Sequence, residues 1–498
     1  MKKKEEKTKN YVIVTIACIT CFLFVATITS ALNVFNSNNL NATTSSVNKA
    51  SYSLSLVGQY DTSKSSPNTI QGSVGYNGKI YFSMSYNAGK AKEKGKYLSK
   101  TYFFNTKSDI LEKKNISYEK YTAFDDFYRT NPTYKANDMT ANVLEKKSGE
   151  KDLIIYSLAM DANHNLSKRN GSILLSYNIS TNDYKEYSFK STNANCKTKN
   201  VYNEKTKKYE KKDICDEFIN IGYNASNDSF YSLLYQTGEI YNYKVKMPNK
   251  NSEEKIETKK ICNIKPLYYN EKGERTYNKN EKSSNYSVSY QGITMKGYLM
   301  YVPFQKKKYI DKDNGKYSII NYLAVYDTRN CKKNSTINYS YVIRINSEKE
   351  TKLDNAEYNK LSNYAKNTFE LEDVFFMNSK LYLAYNAMRS KGISFYKLNF
   401  SDDVIKINNT SAKNDGNNVK LTAHVDAKYK IYAYKFCPTK DGTNCEYKGY
   451  TDDSGKKYLT LYEKKLEEIV KKTNSNTWYL FVRDLYGNTK VKPINISL

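Results

Sequence analysis

Four stretches near the start of the chain decide the fold: IQGSVGYN (Ile70–Asn77), KIYFSMSY (Lys79–Tyr86), TYFFNT (Thr101–Thr106) and ILEKKNIS (Ile110–Ser117). Polar and apolar residues alternate, and β-branched and aromatic residues dominate, so each reads as a strand. Gly, Asn and Asp mark the turns between them. The same grammar recurs. A second unit, weaker at its start, reads KDLIIYSLAMD (Lys151–Asp161), SILLSYNIS (Ser172–Ser180) and YKEYSFK (Tyr184–Lys190). A third begins at FINIGYN (Phe218–Asn224), a fourth at YSVSYQG (Tyr286–Gly292) and a fifth at ELEDVFFMN (Glu370–Asn378). The fifth is expected to take Asp403–Asn408 as its fourth strand.

Third-strand ends fall at Phe104, Tyr177, Tyr243, Tyr326 and Tyr396, with gaps of 73, 66, 83 and 70 residues. Four strands per unit, repeated, predict a β-propeller of about five blades. The gaps exceed the roughly 40–50 residues of common propeller repeats. Long loops absorb the excess, at Cys196–Cys215, Lys246–Lys282 and Arg329–Asn367. The early strand Tyr52–Leu56 can complete the last blade, closing the ring and removing exposed edges. The rhythm of Gly78-Lys79-Ile80-Tyr81 and Tyr326-Asp327-Thr328 resembles the β-propeller repeats of bacterial cell-surface proteins. The fold class is therefore read as all-β, with the propeller over residues 51–411.

Residues 412–498 follow a different grammar. NNVKLTAHVDAKYKIYAYKFCPTKDGTNCEYKGY gives two or three strands and a cysteine-bracketed hairpin. Leu459, Leu461, Leu466, Ile469 and Val470 partly fit a helical stripe, which predicts a short helix near Glu463–Lys471. Trp478, Tyr479, Val482, Asp484, Gly487 and Asn488 follow, in an arrangement that resembles the closing hairpin of bacterial immunoglobulin-like surface domains. The resemblance implies a small Ig-like sandwich, acting as a spacer or adhesive module, and implies no chemistry.

The beginning of the chain speaks about location. Residues 1–10 carry five lysines, and residues 11–32 (YVIVTIACITCFLFVATITSAL) carry no charge. About 20 apolar residues span a bilayer as a helix. Preceding lysines stay in the cytoplasm. The expectation is a cytoplasmic basic tail (1–10), a signal-anchor (11–32) and an Asn/Ser/Thr-rich stalk (33–50), with the rest extracellular at the cell membrane. Cleavage near Thr29-Ser30-Ala31 and a lipidated Cys18 are the alternatives. Outside that segment lie Cys196, Cys215, Cys262, Cys331, Cys437 and Cys445, which allow fifteen pairings. Short loops suggest Cys196–Cys215 and Cys437–Cys445, leaving Cys262–Cys331. No C-x-x-C pair favours zinc over disulfides there.

Chemistry is sparse. With two histidines, His164 and His424, a His-centred metal site or triad is hard to build. No cofactor is implied. No nucleophile elbow, P-loop or H-E-x-x-H motif is present. Asp311-Lys312-Asp313-Asn314-Gly315 lacks the twelfth-position glutamate of an EF-hand. Asp125, Asp126, Glu370, Glu372 and Asp373 are clustered acids, but the sequence pairs no two of them across an active site.

Lysines are more suggestive in a chain of net charge +28. Lys90, Lys92, Lys94 and Lys96 fall between the second and third strands of unit one. Lys306, Lys307 and Lys308 fall there in unit four, and Arg389 and Lys391 in unit five. Equivalent loops emerge on one rim, so a basic face that attracts anionic cell-wall or host polymers, or a partner protein, is expected. The function read from the sequence is non-catalytic extracellular binding, adhesion or envelope scaffolding. Intracellular nucleic acid is not expected as a partner. The alternative is a propeller-type carbohydrate-active enzyme, a glycosidase or lyase with carboxylates in the central channel.

Overall fold

The computed structural model describes residues 52–61, 69–85, 99–106, 119–145, 149, 151–161, 171–189, 196–203, 208–215, 218–234, 238–245, 255–311, 316–345, 369–387, 392–448 and 465–496. β1 (Tyr52–Asp61) is followed by the first blade: β2 (Thr69–Tyr76), β3 (Lys79–Ser85), β4 (Ser99–Asn105) and β5 (Glu119–Tyr121). The short helix α1 (Asp125–Thr130) leads to the second blade, β6 (Tyr134–Glu145), β7 (Lys151–Asp161), β8 (Ile173–Asn178) and β9 (Asp183–Ser188). A hairpin, β10 (Cys196–Asn203) and β11 (Lys208–Cys215), separates it from the third blade: β12 (Gly222–Asn224), β13 (Ser229–Leu234), β14 (Glu239–Tyr243) and β15 (Lys259–Ile264). A small hairpin, β16 (Tyr268–Tyr269) and β17 (Arg275–Thr276), precedes blade four. That blade holds β18 (Tyr286–Tyr290), β19 (Thr294–Lys296), β20 (Leu299–Asp311), β21 (Lys316–Asp327) and β23 (Tyr341–Ile345). Between its last two strands, β22 (Thr336–Ile337) pairs in parallel with β15 and covers the outer edge of blade three. Blade five is β24 (Phe369–Met377), β25 (Lys380–Ala387) and β26 (Gly392–Phe400).

Blade five is completed by β1, which pairs antiparallel with β26 from Tyr52↔Phe400 to Asp61↔Gly392. The innermost strands pack in cyclic order, β24 on β2, β2 on β6, β6 on β12, β12 on β19 and β19 on β24. The result is a closed, propeller-like ring of five sheets, antiparallel except for the β15–β22 pair. Local chemistry sets the hairpins. Asn77 (φ 47°) and Gly78 (φ 76°) make the tight β2–β3 turn, and Asn378 (φ 49°) and Ser379 (φ 61°) make its counterpart between β24 and β25. Two successive left-handed residues match the twist of the flanking strands.

Several expectations are corrected. The first strand of unit two, faint in the sequence, is the twelve-residue β6. The last strand of unit one is Glu119–Tyr121; residues 110–117 lie outside the described residues. Asp403–Asn408 does not finish blade five, because β1 occupies that edge. Ile405–Asp415 instead forms β27, the first strand of a C-terminal sandwich.

The sandwich has two three-stranded antiparallel sheets. One is β27, β28 (Asn418–Ala427) and β30 (Lys465–Lys471); the other is β29 (Ile431–Cys437), β31 (Thr477–Asp484) and β32 (Thr489–Asn495). The helix expected near Glu463–Lys471 is strand β30. Leu466 sits opposite Ala423 and Val470 opposite Val419, both on the β28 register, while Ile469 is exposed. Sheet pairing overrides the partial helical stripe, as tertiary context does for short apolar runs.

Cys262–Cys331 and Cys437–Cys445 are disulfides, as expected. Cys196 and Cys215 are direct cross-strand partners in the β10–β11 hairpin. Cys262–Cys331 closes a 69-residue separation that contains most of blade four. Reducing it is expected to cost roughly 2–4 kcal/mol of stability. Denaturant unfolding with and without reductant, compared with a Cys262→Ser/Cys331→Ser variant, checks this. Among the described residues no helix is long and apolar enough to cross a membrane, which says nothing of β-barrels. The expected anchor, residues 11–32, lies outside the described residues.

Candidate functional site

An innermost strand has a sheet partner on one side only, so its other edge needs separate hydrogen-bond partners. Neighbouring blades supply them from side chains. Asn321 accepts from the Leu371 amide (3.0 Å) and donates to the Phe369 carbonyl (2.9 Å). Asn386 does the same for Ile70, accepting at 2.8 Å and donating at 3.1 Å. The Ala136 amide donates to Ser99 Oγ at 2.6 Å. Two residues after Ile70, Ala136 and Leu371, the register of β2, β6 and β24 slips by one, at Gly72, Asp138 and Asp373. The three positions are equivalent bulges, and bulges re-aim side chains.

Two of them aim carboxylates inward. Asp138 accepts from the amides of Met139 (2.8 Å), Ile221 (2.8 Å) and Ile293 (3.1 Å), tying blades two, three and four. Asp373 accepts from the Val374 amide (2.7 Å) and from the amide (2.6 Å) and hydroxyl (2.8 Å) of Ser73, tying blade five to blade one. The Gly292 amide donates to the Glu372 carbonyl at 3.0 Å and links blade four to blade five. A Cβ at Gly292 would lie 2.6 Å from Asp373 Oδ1 and 3.1 Å from Asp138 Oδ1, so the two carboxylates converge there. A Cβ at the third bulge, Gly72, would lie 2.5 Å from the Met139 nitrogen, so only glycine fits where blades one and two meet.

Burial pushes Asp138 up to about 8, against the pull of its three amide donors. Burial first, and Asp138 second, push Asp373 well above the usual carboxylate range. Beside them, Glu370 accepts from Lys307 Nζ at 2.8 Å, and Glu372 accepts from Asn386 Nδ2 at 3.0 Å. Burial, then Glu370, raises Glu372 strongly. Burial lowers Lys307 most, but Glu370, Tyr317 and Glu372 together outweigh it and the net shift is upward.

Acids therefore do gather on the innermost strands, which the sequence did not reveal. Glu370, Glu372 and Asp373 were visible as a cluster. Asp138 was missed because Asn137-Asp138 breaks the alternation of β6. Asp138 and Asp373 are 0% and 1% exposed, and the backbone amides of Met139, Ile221, Ile293, Ser73 and Val374 occupy their oxygens. Paired glycosidase carboxylates must instead flank an open site, about 5–9.5 Å apart. Among the described residues no group of three or more His, Cys, Asp or Glu could hold a metal ion. Farther along the same strands the ring opens into a cavity of about 570 Å³, bordered by Ser73, Met139, Tyr223, Met295, Phe375 and Met377.

The predicted lysines divide. Lys306, Lys307 and Lys308 belong to strand β20, not to a loop, because the β20–β21 hairpin continues to Asp311. Strand alternation sends them to opposite faces. Lys307 turns to Glu370 and lies over Tyr317 at 5.0 Å. Lys306 turns the other way, over the rings of Tyr269 (4.3 Å) and Tyr286 (4.7 Å), and donates to the Gly273 carbonyl at 2.5 Å. Lys308, two residues on, is exposed. Lys90, Lys92, Lys94, Lys96, Arg389 and Lys391 lie outside the described residues.

The face that carries Lys306 holds a group the sequence did not assemble. In the sheet register Phe304 sits opposite Tyr322, and Tyr322 opposite Arg344. Arg275, from β17, lies over Tyr322 at 5.7 Å. Lys265 lies over Tyr277 at 4.4 Å and Lys282 over Tyr268 at 6.0 Å. Burial first, then Arg344, Arg275 and Lys308, lowers Lys306 to about 8. Between blades three and four this region encloses a cleft of about 370 Å³, with Leu267, Tyr268, Tyr269, Lys282, Tyr286 and Tyr290 in its wall.

No protein-family model matches the chain, and neither does any curated protein. Solved structures similar to it include a glycosyl hydrolase from Bacteroides ovatus (8% identity, 69% of this chain and 94% of that chain, TM-score 0.36). An endo-arabinanase from Bacillus licheniformis covers 68% and 96% (10% identity, TM-score 0.31). The calcium-binding protein regucalcin from Agrobacterium tumefaciens covers 69% and 95% (7% identity, TM-score 0.27). Likeness at this level carries no activity over to this chain. The ring rests on the chain's own strand pairing.

Proposed function

We propose that this chain is a non-catalytic extracellular binding protein whose ligand is an anionic polymer, presented from the membrane by its N-terminal segment. The observation that carries the reading is the gathering of Lys306, Lys308, Arg275 and Arg344 around one face of blade four, in a chain of net charge +28. A cationic cluster of this kind attracts polyanions at long range, and salt screens the attraction. The C-terminal sandwich serves as an Ig-like spacer in this reading.

The competing reading is a propeller glycosidase or lyase. In its favour, carboxylates stand on the innermost strands. Against it, Asp138 and Asp373 are spent on holding blades together, and Glu370 is paired with Lys307. Full-length protein is expected to bind immobilised polygalacturonate at 50 mM salt, to bind at least tenfold more weakly at 500 mM, and to ignore neutral dextran. Absence of binding at low salt, or release of reducing ends from the polymer, would overturn the proposal.

A further inference from the structure

We infer that the cleft between blades three and four is the seat of a single acidic sugar unit of that polymer, with tyrosine faces stacking on the ring and Lys282 meeting its carboxylate. The inference rests on the anionic-polymer reading and locates it.

Three observations converge on the cleft. The first is size. About 370 Å³ lies near the lower end of the roughly 300–1,000 Å³ of ligand pockets, which suits one or two sugar rings. The second is wall chemistry. Tyr268 and Tyr286 are half-buried and present aromatic surface to the cleft, while the buried Tyr269, Tyr290 and Leu267 back it. A sugar presents C–H groups to such faces and hydroxyls to the polar rim. The third is charge. Lys282 is in the wall, and Lys306 stands over two of the wall tyrosines. Of the two, Lys282 is the exposed one, with its ammonium 6.0 Å from the Tyr268 ring. Burial first, and the cations Arg344, Arg275 and Lys308 after it, lower the Lys306 ammonium.

An acidic saccharide fits this better than a nucleic-acid strand. Single strands track along a charged groove with a succession of stacking platforms. Here the tyrosines line one short, half-open cleft. The cleft is also distinct from the carboxylate of Glu370, which meets Lys307 on the opposite face of blade four.

The test uses the full-length chain and calorimetric titration at 150 mM salt. The probes are tetragalacturonate, its methyl ester, maltotetraose and a 20-nucleotide single-stranded DNA. Tetragalacturonate is expected to saturate one site. Lys282→Glu, an exposed change, and Tyr286→Ala are each expected to weaken it at least tenfold. Lys406→Glu with Lys413→Glu alters exposed lysines of the sandwich and is expected to change affinity less than twofold. Unchanged melting of each variant guards against misfolding. If Lys282→Glu weakens binding no more than the sandwich pair does, the cleft is not the seat, although the polymer reading stands. If wild type binds no polygalacturonate at all, that reading falls first. Equal affinity for the methyl ester, or tighter binding of the DNA at the same residues, would also overturn the assignment.

Discussion

Asp138→Ala is expected to lower stability by about 5 kcal/mol. The change strands three buried amides, those of Met139, Ile221 and Ile293, on three successive blades. Each unsatisfied buried donor costs about 1–3 kcal/mol. Asp138→Asn keeps the shape and one acceptor oxygen, so it is expected to cost about 1–2 kcal/mol. Urea unfolding at pH 5.5 measures both. A loss below 1 kcal/mol for the alanine variant would show that the acid is not the clasp described above.

The same residue predicts a pH dependence with a definite sign. Asp138 and Asp373 hold their protons to higher pH in the folded ring than in the unfolded chain. The folded state therefore binds more protons once pH passes the ordinary carboxylate range near 4. Stability falls as pH rises from there, and continues to fall until the folded groups ionise, at about 8 for Asp138. The slope is about 1.4 kcal/mol per pH unit for each such group. Asp373→Asn removes one charge from the pair and should flatten the decline between pH 6 and 8. An unchanged slope would place the titrating groups elsewhere.

The ring was largely legible in the sequence, and the site was not. β3, β7, β20 and β25 are buried runs of β-branched and aromatic residues bounded by turn signals, so periodicity finds them. Closure by β1 was legible too, because four-stranded units left one strand over at the start. Asp138, which completes the inner pair with Asp373, was hidden for a physical reason. A bulge shifts side-chain direction by one residue, so Asn137-Asp138 reads as a break in a strand rather than as its functional turn inward. The cleft was hidden for another. Tyr268, Arg275 and Lys282 belong to the segment between blades, where no local pattern shows what the chain folds against. Lys306 to Lys308 were found as a run, yet a strand separates them, and Lys307 goes to an internal ion pair.

Tyr486 carries the second large prediction. It sits in the closing hairpin turn beside Gly487 and Asn488, and it acts as an anchor between the sandwich and the ring. Its side chain is 2% exposed. Its ring meets Tyr429 at 5.1 Å and Phe400 at 5.7 Å, and its hydroxyl donates to the Leu323 carbonyl of blade four at 3.1 Å. Tyr301 of blade four answers by donating to the Leu485 carbonyl, and Lys430 donates to the Ser340 carbonyl at 2.7 Å. One apolar cluster consequently runs from Leu323 and Leu383 of the ring to Leu480 and Trp478 of the sandwich. Such continuity makes the two modules unfold together. Removing a buried aromatic of this size costs about 3–5 kcal/mol. Tyr486→Ala is therefore expected to lower stability by about 4 kcal/mol and to split one calorimetric transition into two. Tyr486→Phe loses one hydrogen bond, about 1 kcal/mol, and should keep a single transition. A sandwich held this way keeps a fixed orientation on the ring. If Tyr486→Ala melts in one transition at the wild-type temperature, the sandwich is not locked to the ring through this residue.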